Sequence, residues 1–245
     1  MNSPEPRPAV APCAETLRHC HVAVMFADLD HFTRICLDDP PDVVFGLVRD
    51  FQRVVAAAVL EFGGNLNAFQ GDGVLVTFGA LPARPDCATR ALRCAEAILE
   101  QMQALSLARR NAGGRSISVS IGLQYGVIWT GTIDSSRRFG PTLIGDPVNV
   151  ANRLEQRAHT LGAKVVAGED FIQRARRESG LDVPELAHFV SAGSLFVHGR
   201  HTPVDVWILR KQSSEVRFEL PRPLIAPAAV AAFADGSREK AAARY

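Results

Sequence analysis

Three stretches of this 245-residue chain carry residue types that can act together on phosphate. The first, HVAVMFADLDHFT from His21 to Thr33, is an apolar run that ends on Asp28 and Asp30. A buried strand ending in carboxylates delivers them to one edge of a sheet. The second, NLNAFQGDGVLVTF from Asn65 to Phe78, sets two apolar runs around Gln70-Gly71-Asp72-Gly73. That is hairpin chemistry, with glycines that permit a tight reversal. If the two strands are neighbours, Asp28 and Asp72 converge. Paired carboxylates suit Mg²⁺, which takes one or two of them and fills its shell with water and phosphate oxygens. Each residue also has a plainer reading: Gly-Asp-Gly as an ordinary turn, Asp28 as the cap of a following helix. The third stretch is TLIGDPVNVANRL from Thr142 to Leu154. Asn149 and Arg153 lie four apart and share one face of a helix. Arg153 offers a fork of donors that grips phosphate, or else it is a solvated surface charge.

Hydrophobic spacing supplies the elements that must position these groups. The first strand spans 20–27, and a short helix runs from near Asp30 to Pro40. A longer helix opens at Pro41 and Asp42 and continues to about Phe62, with Leu47, Phe51, Val54, Val55, Ala58 and Val59 at helical spacing. The hairpin occupies 65–79. A helix from Asp86 to Arg109 follows, with Cys87 and Cys94 on its buried face. Ile117, Val119, Ile121 and Leu123 alternate as in a strand, and 126–131 continues as another strand or a bend. Residues 132–141 read as a projecting loop. After it come a helix over 146–161, a strand over 164–167, a helix over 169–177, and closing strands at 194–198 and 203–210. This order predicts an α+β sandwich with a ferredoxin-like βαββαβ core, its helices packed on a mostly antiparallel sheet. Residues 1–19 form a proline-rich flexible leader, 20–211 the domain, and 212–245 a tail.

Composition narrows the class. A formal net charge of +1 gives no electrostatic case for nucleic acid or an anionic membrane surface. Five cysteines without CxxC spacing suggest reduced thiols and a cytoplasmic setting. No segment approaches the ~18 apolar residues of a membrane span, and the N-terminus lacks a signal-peptide core. Lys164, Lys211 and Lys240 are the only lysines.

The motifs FADLDHFT, FQGDGVLVTFG and IGDPVNVANRLE, in that order, resemble the catalytic domain of class III nucleotide cyclases over roughly residues 20–210. The resemblance implies two divalent cations, Mg²⁺ or Mn²⁺, held by Asp28, Asp72 and the backbone carbonyl of Leu29. It implies a nucleoside triphosphate substrate. Asn149 would orient the ribose, and Arg153 would stabilise charge on the α-phosphate. In the family these two residues come from the opposite subunit, so a homodimer would hold two shared sites. His198 or Arg200 takes the place of a lysine that holds the terminal phosphates. Arg137 and Arg138 could also meet phosphate.

One position departs from the family. Adenylyl cyclases read adenine with a lysine three residues before the Gly-Asp of the hairpin; here that residue is Ala68, which has no side-chain donor or acceptor. The second base-reading position is Thr142, and Phe69 adjoins Ala68. Intact phosphate chemistry beside a lost purine reader points to altered base specificity, with an aromatic such as Phe69 leaving room for a smaller pyrimidine. In this the chain resembles the pyrimidine cyclases of the bacterial Pycsar antiphage system, which make cyclic UMP or cyclic CMP for a separate effector. Three alternatives stand beside it: an adenylyl cyclase reading its base through Asn67, Gln70 or backbone groups, a catalytically dead nucleotide-binding or dimerisation module, and a diguanylate cyclase, which the missing Gly-Gly-Asp/Glu-Glu-Phe hairpin disfavours.

Overall fold

The computed structural model describes residues 17–80, 83–131, 142–179 and 184–209. The elements run β1 (Arg18–Leu29), α1 (Phe32–Asp38), α2 (Pro41–Glu61), β2 (Asn65–Gln70), β3 (Gly73–Phe78), α3 (Cys87–Asn111), β4 (Val119–Gly131), β5 (Thr142–Ile144), α4 (Asp146–Ala158), β6 (Val165–Gly168), α5 (Glu169–Glu178), β7 (Phe189–Leu195) and β8 (Val204–Leu209), with a 3₁₀ turn at Pro184–His188. The sheet order is β2-β3-β1-β4-β6-β8-β7, with β5 paired to β4. Its first four strands are the expected βαββαβ arrangement, all antiparallel, while β4 and β6 pair in parallel.

Alternation along β1 splits the molecule into two layers. Ala23, Met25, Ala27 and Leu29 point into the main core with Val74, Val76 and Phe78 of β3 and the apolar stripes of α2, α3 and α5. Val22, Val24 and Phe26 point to the other face, where Ala151 and Val148 of α4 cover them. Helices therefore cover both faces. Gly122 of β4 is what lets α4 approach. A Cβ there would lie 2.1 Å from the Ala151 carbonyl oxygen and 2.4 Å from the Glu155 nitrogen.

A non-local contact finishes α3. The Glu178 carboxylate at the end of α5 accepts from the Ala88 and Thr89 backbone nitrogens at 3.1 and 2.8 Å, and Arg174 donates to it at 2.6 Å. An acid at a helix N-terminus satisfies orphan amides and opposes the helix dipole.

Several boundaries differ from expectation. β4 is one continuous strand through 126–131, because β1 pairs with it from Val119 to Thr130. The first closing strand is Phe189–Leu195 rather than 194–198, and β5 was not legible as a strand. β1 starts two residues inside the expected leader. Most of that leader, the 132–141 loop with Arg137 and Arg138, and the 212–245 tail lie outside the described residues. Among the described residues no helix is long and apolar enough to cross a membrane.

Candidate functional site

Sheet register brings Asp28 and Asp72 together. Asp28 is paired with Gly73 of β3 and with Ser120 of β4, and the Leu29 nitrogen donates to the Asp72 carbonyl at 3.2 Å. The turn between β2 and β3 has two residues, Gly71 at φ 65 and Asp72. A positive φ at the first central position is the glycine-requiring geometry of a II′ hairpin turn, whose twist matches that of the strands. Gly73 leaves the cradle open: a Cβ on it would stand 3.4 Å from Asp28 Oδ1.

Burial and the neighbouring Asp72 carboxyl push the Asp28 carboxyl up to about 7. Asp28 Oδ1 is buried and has no hydrogen-bond donor among the described residues. Two crowded carboxyls with an orphaned oxygen, beside the main-chain end of β1, form an all-oxygen donor set. That set fits a hard divalent cation of the Mg²⁺ or Mn²⁺ kind. Asp28 is no helix cap, because the N-cap position of α1 belongs to His31.

Asp30 has a different job. It accepts from Ser120 at 2.5 Å, and from Ser118 and Lys164. Burial works to raise its pKa, but these donors outweigh burial and hold it below the ordinary value. Its carboxylate is thus spent on joining β1 to β4 and to the residue preceding β6. Sequence reading missed this clasp; the signal was the Ser118/Ser120 alternation and a lysine directly before an apolar strand.

A further carboxylate, Glu155 of α4, also escaped sequence reading. α4 seats it over Gly122, on the sheet face that bears Asp28. Burial, then the charges of Asp28, Asp30 and Asp72, raise it to about 8. Its position fixes the orientation of the whole helix. At about 100° per residue, Arg153 lies about 200° from Glu155 and Asn149 about 240°, so both point away from the carboxylates. Both are exposed, and Arg153 donates to Gln156 at 2.9 Å. Within one chain the structure does not bring Asn149 and Arg153 to Asp28 and Asp72.

Arg200 sits with the second group, 3.5 Å from Asp146 at the start of α4, while His198 is exposed in the same loop. Thr142 pairs with Gly131, at the opposite end of β4 from Ser120. Ala68 pairs with Leu75 and so faces the Asp28 side of the sheet. Phe69 pairs with Val74 and packs against the main core. The expectation that Phe69 lines the base site is therefore corrected: strand alternation turns it to the α2–α3 face. A bulge places Asn67 beside Ala68, where its oxygen accepts from Thr77 at 2.9 Å and its amide nitrogen remains as a donor. An open groove of about 520 Å³ at the far end of β1, lined by His19, His21, Tyr125 and Arg174, holds none of these residues.

Known proteins resemble this chain over most of its length. The family described as "Adenylate and Guanylate cyclase catalytic domain" matches residues 15–210. Adenylate cyclase 1 of Rhizobium meliloti is 27% identical over 186 residues, 76% of this chain and 27% of that protein. The chain thus spans little more than a quarter of that curated relative. Among solved structures, the adenylyl cyclase CyaB from P. aeruginosa superposes with a TM-score of 0.68 at 20% identity, over 82% of this chain and 99% of that one. The guanylyl cyclase Cya2 gives 0.68 at 22% identity, over 82% and 96%. At such identities the structural likeness establishes the fold.

Proposed function

The chain belongs to the adenylate and guanylate cyclase catalytic domain family, and from that premise we propose that it converts a nucleoside triphosphate into a 3′,5′-cyclic nucleotide and pyrophosphate at sites shared by two copies of the chain. The observation that carries this reading is the opposed placement of Asp28/Asp72 and Asn149/Arg153 in one protomer. Asp28, Asp72 and the Leu29 carbonyl hold two divalent cations. When bound, these supply a lowered pKa for the ribose 3′-hydroxyl and charge neutralisation for the leaving pyrophosphate. Asn149 of the second copy orients the ribose. Arg153 of that copy stabilises charge on the α-phosphate, a contribution typically of about 10²–10³ in rate. Arg200, next to the same helix, exchanges Asp146 for the terminal phosphates, with His198 beside it. Exposed Trp129 and Ile144, paired across β4 and β5, offer apolar surface for the contact between copies.

The base is the finer question. Ala68 on the Asp28 face supports a pyrimidine substrate, UTP before CTP, and a cyclic nucleotide read by a separate effector in cytoplasmic antiphage signalling. Thr142 is the second base-facing residue in this reading. A second reading, ATP, is favoured by the Asn67 amide beside Ala68 and by relatives named adenylate cyclases. Incubation with ATP, GTP, CTP and UTP separately, with Mg²⁺ and with Mn²⁺, and mass spectrometry of the products separates them. Cyclic UMP or cyclic CMP as main product supports the first reading. Cyclic AMP supports the second. No cyclic product from folded protein contradicts both.

A further inference from the structure

We propose that His31 and His159 form a site for a divalent cation of the zinc class, separate from the Asp28/Asp72 cradle. Their Nε2 atoms stand 2.7 Å apart and their ring centroids 4.3 Å apart, although the residues are 128 positions apart in sequence. His31 occupies the corner between β1 and α1, and its φ of 59 is the only positive φ of a non-glycine among the described residues. That left-handed conformation is uncommon for a side-chain-bearing residue, and it aims the imidazole across at the end of α4. His159 is the C-cap residue of α4. Both side chains are exposed, so an ion reaches them without passing through the core.

The geometry needs little change. At Zn–N distances of about 2.0–2.1 Å, two tetrahedral ligands sit about 3.3 Å apart. The two rings must open by about 0.6 Å from that ideal, a small rotation for exposed side chains. As they stand, one Nε2–H donates to the lone pair of the other. Ligation needs both lone pairs, so the donor ring carries its proton on Nδ1 instead, with no net gain or loss of protons. Imidazole nitrogen suits Zn²⁺, Ni²⁺ and Cu²⁺, whereas the carboxylate cradle suits Mg²⁺ and Mn²⁺. Among the described residues no group of three His, Cys, Asp or Glu side chains converges on a metal. Asp30, adjacent in sequence, is already held by Lys164, Ser118 and Ser120. Water therefore completes the shell, and affinity falls in the range of a two-ligand chelate rather than a structural zinc site. An ion there pins the end of α4, the helix that carries Asn149 and Arg153, to the corner that follows Asp28.

The test is calorimetric titration of the metal-free full chain with Zn²⁺. His159→Gln and His31→Asn are the variants, the second because asparagine tolerates the left-handed backbone. Circular dichroism checks that each is folded. The expected result is a Zn²⁺ site in the wild-type chain, distinct from the Zn²⁺ uptake of the carboxylate cradle that Asp28→Asn removes, and weakened at least about tenfold in each variant. Asp28→Asn, Cys36→Ser and His19→Gln should retain the site, and Mn²⁺ affinity should be unchanged in His159→Gln. In the Asp28→Asn background, where the carboxylate cradle is disabled, Zn²⁺ should still raise the unfolding midpoint, and should not once His31→Asn or His159→Gln is added. Equal Zn²⁺ affinity in wild type and both variants overturns the proposal. So does loss of the site in Cys36→Ser or Asp28→Asn. Because binding is read without turnover, failure here is distinct from failure of the cyclase reading.

Discussion

The carboxylate corner and the polar face of α4 are built on opposite terms. At the corner, strand register does the placing: Asp28 faces Gly73 and Ser120, and the hairpin turn adds Asp72. The groups there are crowded and partly dry, which is why burial and Asp72 push Asp28 up to about 7. On α4 the corresponding groups are wet. Asn149 and Arg153 are exposed, and among the described residues Arg153 bonds within its own helix, to Gln156. Pre-organised negative charge costs stability until a cation or another partner arrives, whereas an exposed arginine costs almost nothing. On the proposed reading one chain bears two halves of a site that it does not itself close, and the close packing of α4 on Gly122 holds those halves in fixed relation.

The largest effect is expected from removing either half. Asp28→Ala and Arg153→Ala should each lower kcat by at least about 10²–10³ in a nucleotide-cyclisation assay, with an unchanged fold by circular dichroism. Arg153→Ala retaining wild-type kcat would remove α4 from the account. Gly122→Ala comes next. Its methyl group meets the Ala151 carbonyl and the Glu155 nitrogen, so α4 must shift, at a cost of about 3 kcal/mol or more in chemical unfolding. A fully stable Gly122→Ala would mean that α4 can move without consequence.

Lys164→Met sharpens the contrast between Asp28 and its neighbour. It strips one donor from Asp30, whose side chain is 6% exposed, and should cost about 1–2 kcal/mol at pH 7. Asp30 is held below its ordinary value of 3.8, so its contribution is present above that pH and is lost on acidification. The gap between wild type and Lys164→Met should narrow below about pH 4 in thermal melts. Asp28 has the reverse sign. Its folded pKa is raised, so metal-free stability falls as pH rises from 3.8 through about 7. Asp28→Asn should flatten that fall, gaining about 2–4 °C at pH 8 in chelator and much less at pH 5. Mn²⁺ should raise the wild-type midpoint at pH 8 and leave Asp28→Asn nearly unmoved.

Local pattern revealed most of the scaffold. Helical spacing in α2 and α3, the glycine-bounded hairpin and the apolar run into Asp28 each reported their own geometry. What escaped depended on distant partners. Glu178 caps α3 from about 90 residues away. Lys164 meets Asp30 across 134 positions. Glu155 looks like one more charge on a polar helix until Gly122 draws it over Asp28. Phe69 escaped because neighbouring residues of a strand take opposite faces: with Ala68 on the Asp28 side, Phe69 turns to the main core, and a bulge at Asn67 hides which of the two faces which way. β5, three residues long, is too short for periodicity to mark.

Mixing the two inactive variants tests the shared site most directly. Asp28→Ala and Arg153→Ala chains, each inactive alone, are combined under conditions where subunit exchange is demonstrated. A heterodimer then carries one composite site with both halves intact, and activity should return to about a quarter of wild type in an equal mixture, since about half of the dimers are mixed and each has one working site. No recovery despite proven exchange would contradict a site divided between two chains.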